Sequence, residues 1–386
     1  MVDVYQNCYI SIAATGASHG DQGLFARRDP LIYQPCQLTK GSEPPLFAIP
    51  HRYPQKDFKG CFTESPLHNR AWVLQERILA PRTLNFGILI VWECREHYRD
   101  EFSLSLRIGR TLKGDFASSI LQPKVPRRLK SHETLEIRKL WCKILLAYTK
   151  ANLTAKSDML IALSGITNAI ERFTGWRNIA GLWEPFLIED LLWKIEDMPW
   201  TLTPFAERAP GLPGPSWSWV SVDRCTITYE SAPFSSCVTR LLACAEGSKE
   251  VDYGQSTDGG VPEGQATIRI SAPLVKTTHL GRNDGSGICH TLEYAQLADW
   301  PGVIVRYRSD RSSSFKCPHV FMPLAHKKFS KTGSLFTAGL LLAPSGIRPG
   351  AYERLGRGTI QDPEKHAPFL LSIFSEPTRR QIITLV

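Results

Sequence analysis

The chain has 386 residues, 42% of them hydrophobic and 22% charged, which excludes a disordered or fibrous protein and allows two or three packing units. Its formal charge of +9 comes from scattered Lys and Arg. The densest group (Lys124, Arg127, Arg128, Lys130) lies in a proline-bearing stretch with no nucleic-acid-binding signature, so no specific nucleic-acid partner is expected.

In chain order, Tyr9–Ala14 reads as a strand running into a Thr-Gly-Ala-Ser-His-Gly loop, and Lys40–Lys59 as a proline-rich loop. Ser65 is a natural N-cap and Pro66 suits the first helical turn, so a helix is predicted from there to Pro81. Leu67, Ala71, Leu74 and Ile78 form its apolar face, with Trp72, Gln75, Glu76 and Leu79 on a neighbouring one. Thr83–Phe86 and Leu89–Trp92 read as two strands, with Gly87 in the turn between them. Residues 1–107 therefore form a first α/β region, and 108–130 read as a linker around Pro123 and Pro126.

Residues 131–198 read as helical. Ile137, Leu140, Trp141, Ile144, Leu145 and Tyr148 make one stripe. Ser157 is expected to cap a second helix with Met159, Leu163, Ile166, Ile170 and Phe173 inside, where Ser164-Gly165 marks close packing. Trp183–Ile195 is apolar nearly all round and reads as a third helix. From 199 to 386 the period changes to two: Trp217–Val222, Thr267–Ser271, Val303–Tyr307, Phe336–Leu342 and Ile382–Val386 are predicted strands of an antiparallel sheet or small barrel. Glu246–Gly264 reads as a long loop. The expected fold class is mixed, α/β at the start, helical in the middle and β-rich (α+β) at the end.

Few patterns carry chemistry. Ten cysteines occur without a Cys-x-x-Cys pair, so no metal is expected; Cys289-His290 and Cys317-Pro318-His319 are the nearest approaches to ligand pairs. No signal peptide opens the chain and no window reaches the roughly twenty apolar residues of a membrane span. Thiols inside apolar runs point to a reducing, cytoplasmic setting. No Gly-x-Ser-x-Gly elbow, dinucleotide fingerprint or Gly-Lys-Ser/Thr phosphate loop is present. Trp217 and Trp219 read as core. Arg354-Leu-Gly-Arg-Gly358 reads as a strand and turn with a weak phosphate-binding pattern. Arg70 is expected to fork onto a backbone carbonyl or Glu93 and lock helix to strand.

MVDVYQNCYISIAAT, then GLFARRDP, PLHNRAWVLQERILAPRTLNFG and WEC, resemble the blocks of fungal heterokaryon incompatibility (HET) domains. Arg70, Trp72, Gln75, Trp92, Glu93 and Cys94 belong to the most specific of these blocks. LTAKSDMLIALSGITNAI, IAGLW, LLW and PSWSW resemble the region that commonly follows the domain. The family's earlier Tyr-x-Ala-Leu-Ser-Tyr-x-Trp-Gly and Trp-Ile-Asp segments are absent, so the chain resembles the second half of the domain plus its extension. A late-starting gene model or a degenerate, non-functional copy would both give that text, and half of a doubly wound sheet would then be missing.

The resemblance implies a cytoplasmic protein of non-self recognition and programmed cell death, signalling by association with like domains or other incompatibility proteins. HET domains have also been likened to TIR domains, some of which cleave NAD with a helix-borne glutamate. Trp72-Val-Leu-Gln-Glu76 keeps that Trp-to-Glu spacing without the family's Cys. On this alternative Glu76 is the catalytic carboxylate, Trp72 a stacking wall, and NAD a substrate rather than a cofactor. The competing expectation is that Gln75, Glu76 and Arg77 are a solvated face, or that Glu76 pairs with Arg70 or Arg82, with no turnover.

Overall fold

The computed structural model describes residues 2–25, 27, 36–39, 41, 44–48, 64–101, 111–122, 129–196, 214–223, 225–229, 237–241, 243–245, 267–283, 292–299, 303–309, 319–329, 335–362, 372, 374–376 and 379–386. The chain divides into two compact units, Met1–Arg128 with Ala151–Leu153, and Leu129–Lys150 with Thr154–Val386. The expected loop at 246–264, the 123–128 stretch, and Cys289-His290 and Cys317 lie outside the described residues.

In the first unit, helix α1 (Val2–Asn7) precedes strand β1 (Ser11–Ala13), and a two-stranded ribbon pairs β2 (Cys36–Gln37) with β3 (Phe47–Ala48). Helix α2 (Ala71–Leu79) leads into the hairpin β4 (Arg82–Phe86) and β5 (Ile90–Cys94), followed by β6 (Tyr98–Asp100). The sheet order is β1-β4-β5-β6, with β1 parallel to β4 and the other pairs antiparallel. A parallel pair needs a crossover, and α2 lies within this one. Helix α3 (Leu112–Ser119) forms inside the expected linker, its Thr111 hydroxyl accepting from the Gly114 amide, and both α1 and α3 pack on α2.

Helix α2 begins at Ala71 rather than at Ser65. Residues 65–70 form turns in which Asn69 N donates to Ser65 O and Arg70 N to Leu67 O. The first helical amide, on Ala71, donates to Asn152 O at 2.9 Å, and Asn152 N donates back to Asn69 O. A backbone carbonyl from far downstream thus does the work expected of a side-chain cap.

In the second unit, α4 (Ser131–Lys150) buries the predicted stripe, including Trp141 and Tyr148. The second helix, α5 (Ser164–Thr174), starts after two short 3₁₀ turns and has no side-chain cap from Ser157. The third predicted helix breaks up. β7 (Asn178–Ile179) and β8 (Leu182–Trp183) form a tight hairpin, a 3₁₀ turn holds Pro185, α6 is only Leu187–Asp190, and β9 (Lys194–Ile195) pairs with β10 (Ile227–Thr228). Gly181 forces the hairpin: its φ is +87°, and a Cβ there would lie 2.5 Å from Trp219 Nε1. The Asp190 carboxylate then reaches back to accept from Trp183 N at 3.0 Å, closing the turn that a continuous helix would have opened.

Trp217–Val222 is not a strand either. Trp219–Ser221 is a 3₁₀ turn capped by the Ser218 hydroxyl, while both indoles are buried as core. Trp219 Nε1 donates to Gly181 O, and Trp193 Nε1 donates to Trp217 O.

The remaining strands are β11 (Cys237–Leu241), β12 (Cys244–Ala245), β13 (Ile268–Pro273), β14 (Val275–Asn283), β15 (Leu292–Leu297), β16 (Ile304–Ser309), β17 (His319–Phe329), β18 (Leu335–Pro344), β19 (Ala351–Asp362) and β20 (Arg380–Leu385). β14-β15-β16-β19-β18-β17 pair in a ring, each antiparallel to the next, and β17 closes on β14. This is a closed antiparallel barrel, which leaves no free edge within the ring. β20, β13 and β12 continue outward from β19, and β11 from β17. Val275, Leu297, Val305, Phe321, Ile360 and Phe374 form one apolar cluster, and Ala295, Tyr307, Leu341 and Leu355 another. Gly339 is required where β18 crosses the bulge at Pro323, because a Cβ would run into Met322 O.

Two buried arginines organise this unit. Arg138 on α4 donates to Asp190 at 3.1 Å, lies 3.5 Å from Glu189, and stacks on Phe186. Burial pushes the Asp190 carboxyl up to about 6 against the pull of Arg138. Because the folded value lies above the unfolded one, this group's contribution is fully present below about pH 4 and is lost as pH rises through about 6. Asp190→Asn is expected to flatten that part of the melting-temperature profile, measured between pH 4 and 7.

Arg354 is the second. It lies within β19, not in a turn, and is fully buried. It donates to Leu191 O at 2.6 Å and Trp193 O at 2.8 Å, with its guanidinium over the Trp193 ring. That engagement replaces the phosphate reading of Arg354–Gly358.

Candidate functional site

Strands β4 and β5 alternate between buried and half-buried positions, as a sheet covered on one face requires. The inward side is unusually polar: Thr83, Asn85 and Glu93 are buried, as are Gln75 on α2 and Lys113 on α3. A charge taken out of water must be paired. Glu93, with no exposed surface, is forked by Arg77 (Nε to Oε2 2.7 Å, Nη2 to Oε1 2.8 Å). Lys113 Nζ stands 3.8 Å from the same carboxylate, and donates to the Thr83 hydroxyl at 2.7 Å and to Glu93 O at 3.4 Å. Asn85 Nδ2 donates across the hairpin to Val91 O.

Burial pushes the Glu93 carboxyl up, but Arg77 and Lys113 together outweigh it, and the group sits below the ordinary carboxylate value. Burial pulls the Lys113 ammonium down to about 8, with Glu93 opposing. With the folded value below the unfolded one, the folded state sheds this proton first. Stability of this unit should therefore rise with pH between about 8 and the ordinary lysine value of 10.5. Hydrogen exchange of the β4–β5 amides, corrected for the intrinsic pH dependence, should show that rise in the native chain and lose it in Lys113→Met.

A lysine against a threonine hydroxyl has the contact distance of a base–nucleophile pair. Both are almost wholly enclosed, however, so no substrate atom can reach Thr83 in this arrangement. The cluster instead ties α2, α3 and the hairpin through one carboxylate.

The sequence-derived residues fall around this cluster rather than into one pocket. Trp72 and Glu76 lie one turn apart on α2, both half-buried. Glu76 carries a hydrogen bond from the Tyr5 phenol of α1; burial first, then the Glu76 charge, pushes that phenol up to about 12. Gln75 is buried, Trp92 half-buried on β5, and Cys94 stands beside His97. Arg70 is exposed ahead of α2, and the fork on Glu93 belongs to Arg77 instead. The reason is the late helix start, which leaves Arg70 in the turn and puts Arg77 in the last turn of α2. Arg82, the other expected partner of Glu76, donates to Tyr9 O and stacks on the Tyr9 ring.

The expected solvated face of Gln75, Glu76 and Arg77 does not form, since Gln75 is buried and Arg77 turns inward to Glu93, and nothing local in the sequence points to Tyr5, Thr83, His97 or Lys113. One signal was available: Glu93 shares the inward parity of Val91, and an inward carboxylate demands a cation. No group of three or more metal-ligating side chains occurs among the described residues, and no described helix is long and apolar enough to cross a membrane.

One comparison concerns the segment that carries α1, β1 and most of α2. Residues 1–76 match the family model described as Heterokaryon incompatibility protein (HET). No curated protein and no solved structure matches the chain. The HET segment ends at Glu76, within α2, so it contains Tyr5, Arg70, Trp72 and Gln75. Arg77, the β4–β5 hairpin and α3, which supply the buried ion cluster, follow it in the chain.

Proposed function

We propose that the chain is a fungal incompatibility protein, acting in non-self recognition and programmed cell death signalling through association of its HET segment with like domains. The observation that carries this reading is where the apolar surface lies. Of thirteen exposed large apolar side chains among the described residues, eight fall within residues 1–76, Tyr9, Ile12, Phe25, Leu38 and Phe47 among them. Large apolar side chains left exposed and concentrated in one segment of the chain offer surface that a partner can cover. In the described sheet β1 is an edge strand, paired only with β4, and Ile12 on it is 61% exposed. An edge strand with outward apolar side chains is a template for pairing with another chain.

The NAD-cleaving alternative asks more of Glu76 than its surroundings supply. The Tyr5 phenol already takes one acceptor site of the carboxylate that would have to meet ribose hydroxyls. Association needs nothing from that group.

Sedimentation of the native chain over a hundredfold concentration range tests the reading. The expected result is a mass that rises with concentration and an Ile12→Glu variant that stays monomeric. A native chain that is monomeric throughout would sink the proposal. Nicotinamide release abolished by Glu76→Gln would favour the hydrolase alternative.

A further inference from the structure

Five cysteines are free and described: Cys8, Cys36, Cys94, Cys142 and Cys225. Four need no chemical explanation. Cys8 donates to Tyr5 O at 3.1 Å, Cys225 donates to Asp223 O, and exposed Cys36 leans on Gln37 O at 3.9 Å. Cys142 lies on α4, where burial, and then the Asp190 charge, pushes its thiol up to about 12.

Cys94 differs from all of them because its sulfur faces a nitrogen base. Its Sγ is 3.7 Å from Nδ1 of His97. The turn after β5 fixes the pair, since Cys94 N donates to His97 O at 2.9 Å. Both residues of the pair are half-buried rather than enclosed.

We propose that Cys94 and His97 form a thiol-modification site that takes soft carbon electrophiles, with Cys94 as nucleophile and His97 as the base that receives its proton. A thiolate, not a thiol, is the attacking species, and an adjacent imidazole supplies it. With its own proton on Nε2, His97 accepts the thiol proton at Nδ1. The sulfur lone pair forms the C–S bond, the leaving group departs with the electrons of its bond to carbon, and the proton passes from His97 to water. No oxidant or reductant enters. The adduct stands at the end of β5, on the half-buried face opposite to that of Glu93. This inference does not depend on the association reading above.

The test is time-resolved labelling of the full chain with iodoacetamide at neutral pH, read peptide by peptide by mass spectrometry. Cys94 is expected to label faster than Cys36 although Cys36 is the more exposed, and His97→Gln is expected to slow Cys94 by at least about tenfold while leaving Cys36 unchanged. Cys94 reacting no faster than Cys36 in the native chain overturns the proposal, and that arm needs no variant. Equal Cys94 rates in the native chain and in folded His97→Gln overturn it as well. Far-ultraviolet circular dichroism and hydrogen exchange over β4–β5 establish that the variant is folded; should it not be, the native-chain comparison decides alone.

Discussion

Glu93→Gln should destabilise the first unit by about 3–5 kcal/mol, the range for removing one member of a buried ion pair. The substitution keeps the shape of the side chain, removes its charge and turns one of the two oxygens that accept from Arg77 into a donor. Arg77 would lose a two-pronged carboxylate, and Lys113 would keep Thr83 as a neutral partner. The loss is large because a folded domain holds only about 5–15 kcal/mol in total. Peptide-resolved hydrogen exchange over β4 and β5 is the proper measurement, since it reads this unit separately from the barrel. Adding Lys113→Met should return part of the loss, because it removes one of the two stranded cations. If Glu93→Gln exchanges like the native chain, the cluster does not hold the hairpin to α2 and α3.

Arg354→Met should cost the second unit a similar amount, about 3 kcal/mol or more. The guanidinium is enclosed and serves two carbonyls at once, on Leu191 and Trp193, while stacking on the Trp193 indole. Methionine can fill much of the volume, but it leaves both carbonyls without those donors. The backbone around Arg354 is tied as well: its amide donates to the Ser216 hydroxyl, and Ser216 in turn donates to Val386 O. Arg354→Lys should recover little, because a single ammonium cannot span two carbonyls and stack on a ring. Intrinsic fluorescence should follow the loss, since Trp193, Trp217 and Trp219 are buried in this unit. A Lys variant as stable as the native chain would show that the fork contributes nothing.

What the sequence disclosed follows from how local each determinant is. The α4 stripe and the strands β13, β16, β18 and β20 of the large sheet are readable because burial on one face imposes a period of 3.6 or 2 on adjacent residues. The burial of Trp217 and Trp219 was readable from their apolar flanks, but their local conformation was not. That depended on the Ser218 cap and on Gly181, far away in sequence.

The start of α2 departs from its local signals for a similar reason. Ser65 and Pro66 are good local signals, yet the amide that opens the helix is satisfied by Asn152. Trp183–Ile195 looked helical because it is apolar all round, and it is broken by the bond from Trp183 N to Asp190. Of the site, the helix–hairpin arrangement was legible and its ion cluster was not. Lys113 lies in what composition marks as a linker, and nothing local says that its ammonium is buried beside Glu93.

Hydrogen exchange of the native chain at low and high protein concentration tests the association surface most directly. The account predicts that amides across Tyr9–Ala13 slow as concentration rises, while those of the barrel strands β14–β19 exchange at an unchanged rate. Equal exchange of β1 at both concentrations, or protection that develops on the barrel instead, would contradict it.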